Sequence, residues 1–157
     1  MGMQLEHSFV VPADADTTWA LLTDLKTVGG CFPGATVTEA DAETFAGNVK
    51  VKLGPIAVTY AGTGRFVERD DEAHRAVIDG TGKGLRGLGN AGAQVTMQLT
   101  PDEAGTRVDV VTELNITGKP AQFGRGVMQT VSDKLLGQFV SCVENKLAPG
   151  QDEAGSP

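Results

Sequence analysis

The chain has 157 residues, 40% of them hydrophobic and 21% charged, with a net charge of −7 and a pI near 4.7. That length supports one domain with a core of its own, and no apolar run reaches the roughly 18 residues that a membrane-spanning helix needs. Thirteen scattered basic residues against twenty acidic ones exclude a nucleic-acid binder and give no electrostatic hold on an anionic membrane.

Gln4 to Val11 alternates loosely, with Leu5, Phe9 and Val11 apolar, and ends at Pro12 as a first strand. Asp14 stands as an N-cap before Ala15, Trp19 and Leu22, which are spaced for one face of a short helix. Leu25 to Gly34 holds one further helical turn before Gly29-Gly30 and Pro33-Gly34 break it. From Val37 to Thr117 the period changes to two. Val49, Val51 and Leu53 share a face, and after a Gly54-Pro55 turn so do Ile56, Val58, Tyr60, Gly62, Gly64 and Phe66. Asp70-Asp71 turns the chain into a strand from Arg75 to Thr81. Val95, Met97 and Leu99 alternate up to Pro101-Asp102, and Val108, Val110, Leu114 and Ile116 mark the last strand. These intervals predict an antiparallel meander of six strands.

Pro120 suits the first turn of a long helix reaching Leu147. Its apolar arc, through Phe123, Val127, Met128, Val131, Leu135, Phe139, Cys142 and Val143, is wider than one contact stripe. Residues 148–157 are Pro-, Gly- and acid-rich and read as a disordered tail or the start of a linker after a domain over 3–147. The order predicts an α+β fold: a strongly twisted sheet wrapped around a long C-terminal helix. Such a pair encloses space unless large side chains fill it. The chain has 21 glycines and few aromatics, and Gly62, Gly64, Gly80 and Gly82 leave that space open.

Catalytic chemistry is hard to place. His7 and His74 are the only histidines, one in a strand and one beside a turn, and read as surface or packing residues. No His/Cys/carboxylate cluster has metal spacing, and no serine has a neighbouring base in a recognisable motif. Cys31 and Cys142 lie far apart with no secretory signal, so a reduced, cytoplasmic protein is expected, with Cys31 a small buried hydrophobe. The run Gly80 to Gly92 matches G-x-G-x-x-G twice, but the segment after it reads as strand rather than as the helix a pyrophosphate site requires. It is expected to be a glycine-rich loop between strands. Arg65 alternates away from the Phe66 face and is expected to meet solvent.

Five blocks then occur in order: Pro12 with Trp19–Asp24, Cys31–Ala35 (CFPGA), Val49–Ile56 (VKVKLGPI), Gly62-Thr63-Gly64, and Gly118–Gly124 (GKPAQFG). Through them the sequence resembles the carbon monoxide dehydrogenase G-subunit family, of the START/Bet v 1-like helix-grip superfamily, over roughly residues 3 to 147. The resemblance implies a seven-stranded antiparallel sheet gripping a long C-terminal helix around an apolar cavity. It also implies an accessory role without catalytic groups, beside molybdenum-containing CO dehydrogenase. That enzyme's electrons enter the quinone pool at the inner face of the cytoplasmic membrane, where the protein is expected to sit peripherally.

Combining the two readings, the bound ligand is expected to be a quinone (menaquinone or ubiquinone) or another apolar lipid. Its cavity would be lined by Val51, Val58, Tyr60, Phe66, Val95, Met97, Phe123, Val127, Val131 and Leu135, with Phe32, Gly64, Lys83 and Arg86 at the rim. Three other readings stand beside the carrier: a ligand-free adaptor or maturation factor for the dehydrogenase, a general lipid-binding protein, and a cyclase-like enzyme. The last needs convergent polar groups, for which only Tyr60, Gln94 and Asn115 are available.

Overall fold

A computed structural model describes residues 2–53 and 55–147. Gly54 of the expected Gly54-Pro55 turn and the expected tail, 148–157, lie outside the described residues. In chain order the elements are β1 (Gly2–Val11), α1 (Ala15–Leu22), α2 (Leu25–Cys31), β2 (Ala35–Ala40), β3 (Thr44–Leu53), β4 (Ile56–Asp70), β5 (Arg75–Gly84), β6 (Asn90–Asp102), β7 (Gly105–Ile116) and α3 (Gly124–Leu147). The seven strands form one antiparallel sheet in the order β1-β7-β6-β5-β4-β3-β2. This is the expected helix-grip arrangement. The alternation of small and apolar residues along each strand puts them on the concave face, which α3 crosses.

Asp14 caps α1 by accepting from the Thr17 amide at 2.7 Å, as its position before the first apolar residue predicts. Asp24 does the same for α2, through the Thr27 amide and hydroxyl. That helix runs through Gly29-Gly30 to Cys31 instead of stopping before them. A side chain at Gly29 would collide with Val37 of β2, so the glycine permits close helix–strand packing there. The long helix starts later than Pro120. Residues Lys119–Phe123 form a 3₁₀ turn bracketed by Gly118 (φ +83°) and Gly124 (φ +78°), left-handed conformations that bulkier residues disfavour. The α-helix begins only after that break.

At the far end of β4 a bulge at Val67 shifts the register, so that Arg69 pairs with Ala76 and comes onto the concave side. Its guanidinium lies 5.4 Å from the Phe66 ring centroid and donates to Asp71 Oδ1 at 3.0 Å. Trp19 Nε1 donates to the same oxygen at 2.8 Å, tying α1 to the β4–β5 turn. These hydrogen bonds, Trp19 first and Arg69 second, hold the Asp71 carboxyl below its ordinary 3.8. A carboxyl whose folded-state pKa is depressed stabilises the fold fully above its unfolded value and progressively loses that contribution below it. Acid titration followed by the emission of Trp19, the single tryptophan, is therefore expected to show a transition below pH 3.8 that Asp71→Ala removes. Emission that titrates identically in wild type and variant would contradict this link.

Candidate functional site

The middle of the concave face is made mostly of small residues in two adjacent rows that follow the strand register, the second opening on a phenylalanine. One row runs Gly47, Gly62, Gly82, Ala91 across β3 to β6; the next runs Phe45, Gly64, Gly80, Ala93. Around them the hydrophobic core divides into two groups. Near α1 and α2 lie Val11, Trp19, Leu22, Cys31, Ala76, Met97, Leu99, Val108 and Val143. At the opposite end lie Leu53, Val58, Tyr60, Ile116 and Met128. Helix α3 contributes Met128 to one and Val143 to the other, positions roughly 22 Å apart along an α-helix. Between them the central residues Ile78, Gly80, Gly82, Ala93 and Val95 are only half-buried, although they occupy the centre of the sheet beneath a 24-residue helix. In a filled α+β core such positions are the most buried. Here solvent reaches them.

The expected lining residues divide along the same line. Val58 and Tyr60 belong to the far group, with Val51, Phe123 and Val131 packed against it. Met97 belongs to the group near α1, with Phe66 packed against it. Val95, Val127 and Leu135 are half-buried and belong to neither group. Of the residues expected at a rim, Phe32 caps the end of α2, is 38% exposed and meets Phe139 of α3 at 6.5 Å between ring centroids. Arg86 is exposed in a 3₁₀ turn between β5 and β6.

The other two are displaced. Lys83 is not in a loop: β5 continues to Gly84, and alternation with Gly82 and Gly84 turns Lys83 to the convex side. Gly64 lies buried in mid-strand, and the ring of Phe45 covers it. Phe45 shares the parity of Val49, Val51 and Leu53, so extending that alternation four residues back identifies it.

Arg65 is exposed on the convex face, as its alternation predicts. His7 faces α3, where its Nε2 is 2.8 Å from Asp133 Oδ1, and Gln129 Nε2 donates to the same oxygen at 2.8 Å. Gln129 first, and then His7, lower the Asp133 pKa. His74 lies against Trp19, 5.5 Å between ring centroids, and reaches Asp16 at 3.0 Å. Both histidines are thus packing residues joining elements. Cys31 is buried, but it is not a free thiol: it is bonded to Cys142, with 5.4 Å between the Cα atoms. The expectation of two separate thiols is corrected by the crossing of α2 and α3, which a sequence separation of 111 conceals.

Among the described residues no group of three or more His, Cys, Asp or Glu is placed to hold a metal ion, and no helix is long and apolar enough to cross a membrane. Two open surface depressions lie away from the gap. One runs along Ala42–Glu43 and Phe66–Arg69, and the other lies where the β2–β3 turn meets Thr63, Arg65, Asp79 and Thr81. The buried polar side-chain atom without a hydrogen-bond partner among the described residues is the Tyr60 hydroxyl, and burial pushes its pKa up.

Comparison with solved structures gives the same fold at low identity. A conserved protein from Geobacillus kaustophilus matches with a TM-score of 0.82 at 16% identity, over 94% of this chain and 97% of that one. Ara h 8.0201 matches at 0.64 and 13%, over 94% and 98%. The Zhui aromatase/cyclase from Streptomyces sp. R1128 matches at 0.67 and 13%, over the whole of both chains. No curated protein sequence matches significantly. The CoxG family, the G-subunit family of carbon monoxide dehydrogenase, matches residues 8–148.

Proposed function

Because the chain belongs to the CoxG family of carbon monoxide dehydrogenase, we propose that it carries a respiratory quinone in the gap between its two core groups and presents it to molybdenum-containing CO dehydrogenase. The observation that supports this reading is the divided core. Two packed groups, with a band of half-buried glycine and alanine on the sheet between them, favour room for an apolar ligand under α3. A ligand with an isoprenoid tail replaces water in that space, and each buried methylene contributes roughly 0.8 kcal/mol. The bilayer shelters the same tail, so moderate affinity suffices for exchange with the membrane's inner face. In this reading the protein adds binding and placement but no turnover of its own. Oxidation of CO by water releases two electrons and two protons, which reduce one quinone to quinol, and this chemistry belongs to the dehydrogenase and its acceptor.

The test combines purified dehydrogenase, CO and quinone-loaded protein, and follows quinol formation by ultraviolet absorbance. Quinol is expected to form faster than with the same quinone dispersed in detergent. Equal rates reject the carrier role. Tight binding of the two proteins with equal rates supports instead an adaptor that docks the enzyme.

A further inference from the structure

Tyr60 places its hydroxyl where no described residue offers it a hydrogen bond. The residue is 8% exposed, and the hydroxyl oxygen is buried without a hydrogen-bond partner among the described residues. The buried residues grouped with it, Leu53, Val58, Ile116 and Met128, have apolar side chains. An unsatisfied buried polar group is costly, and a phenylalanine would fill the same volume without that cost. The position of the ring indicates what the hydroxyl is for. In the register Tyr60 pairs with Gly84 and Val49, immediately beside the row Gly47, Gly62, Gly82. A side chain built at Gly82 would meet Tyr60 Cβ at 3.2 Å and Cδ1 at 3.9 Å, so the ring lies along the edge of the small-residue band.

We propose that the Tyr60 hydroxyl is the polar anchor of the ligand site and donates its hydrogen bond to an acceptor oxygen on an otherwise apolar molecule. Resting on the carrier reading, this makes the oxygen a quinone carbonyl and turns the head group toward the Met128 end of the interior. The isoprenoid tail then runs along the glycine–alanine band toward the α1–α2 end. The anchor selects for oxygen, whereas the band selects only for apolar bulk. A hydrocarbon with the same tail is held less tightly, because it leaves the hydroxyl unpaired.

The experiment titrates wild type and Tyr60→Phe with decylubiquinone and with decylbenzene, which has the same tail but no carbonyl, by calorimetry. Wild type is expected to bind the quinone about tenfold more tightly than the hydrocarbon, the worth of one well-made hydrogen bond. Tyr60→Phe is expected to lose that margin, to keep its affinity for decylbenzene, and to melt no lower than wild type. On wild type alone, the infrared carbonyl band of bound decylubiquinone is expected at lower frequency than in hexane. An unshifted band, or a variant with undiminished preference for the quinone, overturns the anchor and leaves the carrier standing. Wild type that binds neither compound overturns both.

Discussion

Gly80→Leu is expected to weaken decylubiquinone binding by tenfold or more while changing stability by less than about 1 kcal/mol. Gly64→Leu, directly opposite it on the neighbouring strand, is expected to lose about 1–3 kcal/mol. Both glycines lie on the concave face and are paired in the register. What stands over them differs. A Cβ at Gly80 meets nothing nearer than the Thr63 carbonyl oxygen at 3.8 Å, so on the carrier reading a larger side chain there takes up the ligand's space. A Cβ at Gly64 runs into the Phe45 ring, which already occupies that volume. Replacing a glycine inside a strand also removes backbone freedom from the unfolded chain, which offsets part of any strain at position 80. Thermal melts beside quinone titrations separate the cases. If Gly80→Leu is destabilised as much as Gly64→Leu and binding is retained, the centre of the face is packed and the carrier reading fails.

Breaking the Cys31–Cys142 bond is expected to lower the melting temperature by on the order of 10–20 °C. In the chain-entropy account a cross-link closing a loop of about 100 residues stabilises by roughly 4.7 kcal/mol, and a domain of this size shifts by about 2–4 °C for each kcal/mol. The bond spans 111 residues and joins the end of α2 to the last part of α3 within the core group near α1. The double variant Cys31→Ala/Cys142→Ala and the wild type in dithiothreitol are expected to melt together, both below the oxidised protein. Thiol titration under denaturing conditions is expected to give two equivalents only after reduction. Coincident melting curves with and without reductant would show that the bond adds nothing to the fold. In a compartment kept reducing, the pair is held as thiols, and the same difference measures what the protein forgoes there.

Where the alternation is unbroken, the sequence reads through to three dimensions. From Ile56 to Phe66 apolar and glycine residues recur every second position, and the register keeps all of them on one face; the bulge comes only after Phe66. The order of elements and the width of the α3 arc follow from similarly regular spacing. The misreadings arise where a local signal competes with packing. Gly29-Gly30 looks like a break, yet helix α2 uses Gly29 to approach Val37. Pro120 looks like a first helical residue, yet two left-handed glycines isolate it in a 3₁₀ turn. The glycines of residues 80–84 suggest a loop, but ladder pairing of Gly80, Gly82 and Gly84 with Gly64, Gly62 and Tyr60 holds them in a strand.

In the candidate site, periodicity identifies which residues face inward. Which of them pack together and which stand apart depends on how α3 crosses the sheet. The loneliness of the Tyr60 hydroxyl is of that second kind, because it depends on every neighbour at once. The cystine is another, since nothing in the spacing of Cys31 and Cys142 brings two helices together.

The strand order gives the protein a particular history during synthesis. β1 pairs with nothing but β7, so Gly2 must find Asn115 and Val11 must find Thr106. At roughly 5–20 residues per second, about 5–20 seconds pass between translation of the first strand and of its partner. For that interval Leu5, Phe9 and Val11 form an exposed alternating strand with no ladder to join. The six strands from β2 to β7 meanwhile pair with their sequence neighbours as they are made. Loop closure over more than a hundred residues is the slow, entropically costly step of such a topology. The strand made before the other six is therefore among the last to be secured, and until then the nascent chain must be kept from pairing with a neighbour of its own kind.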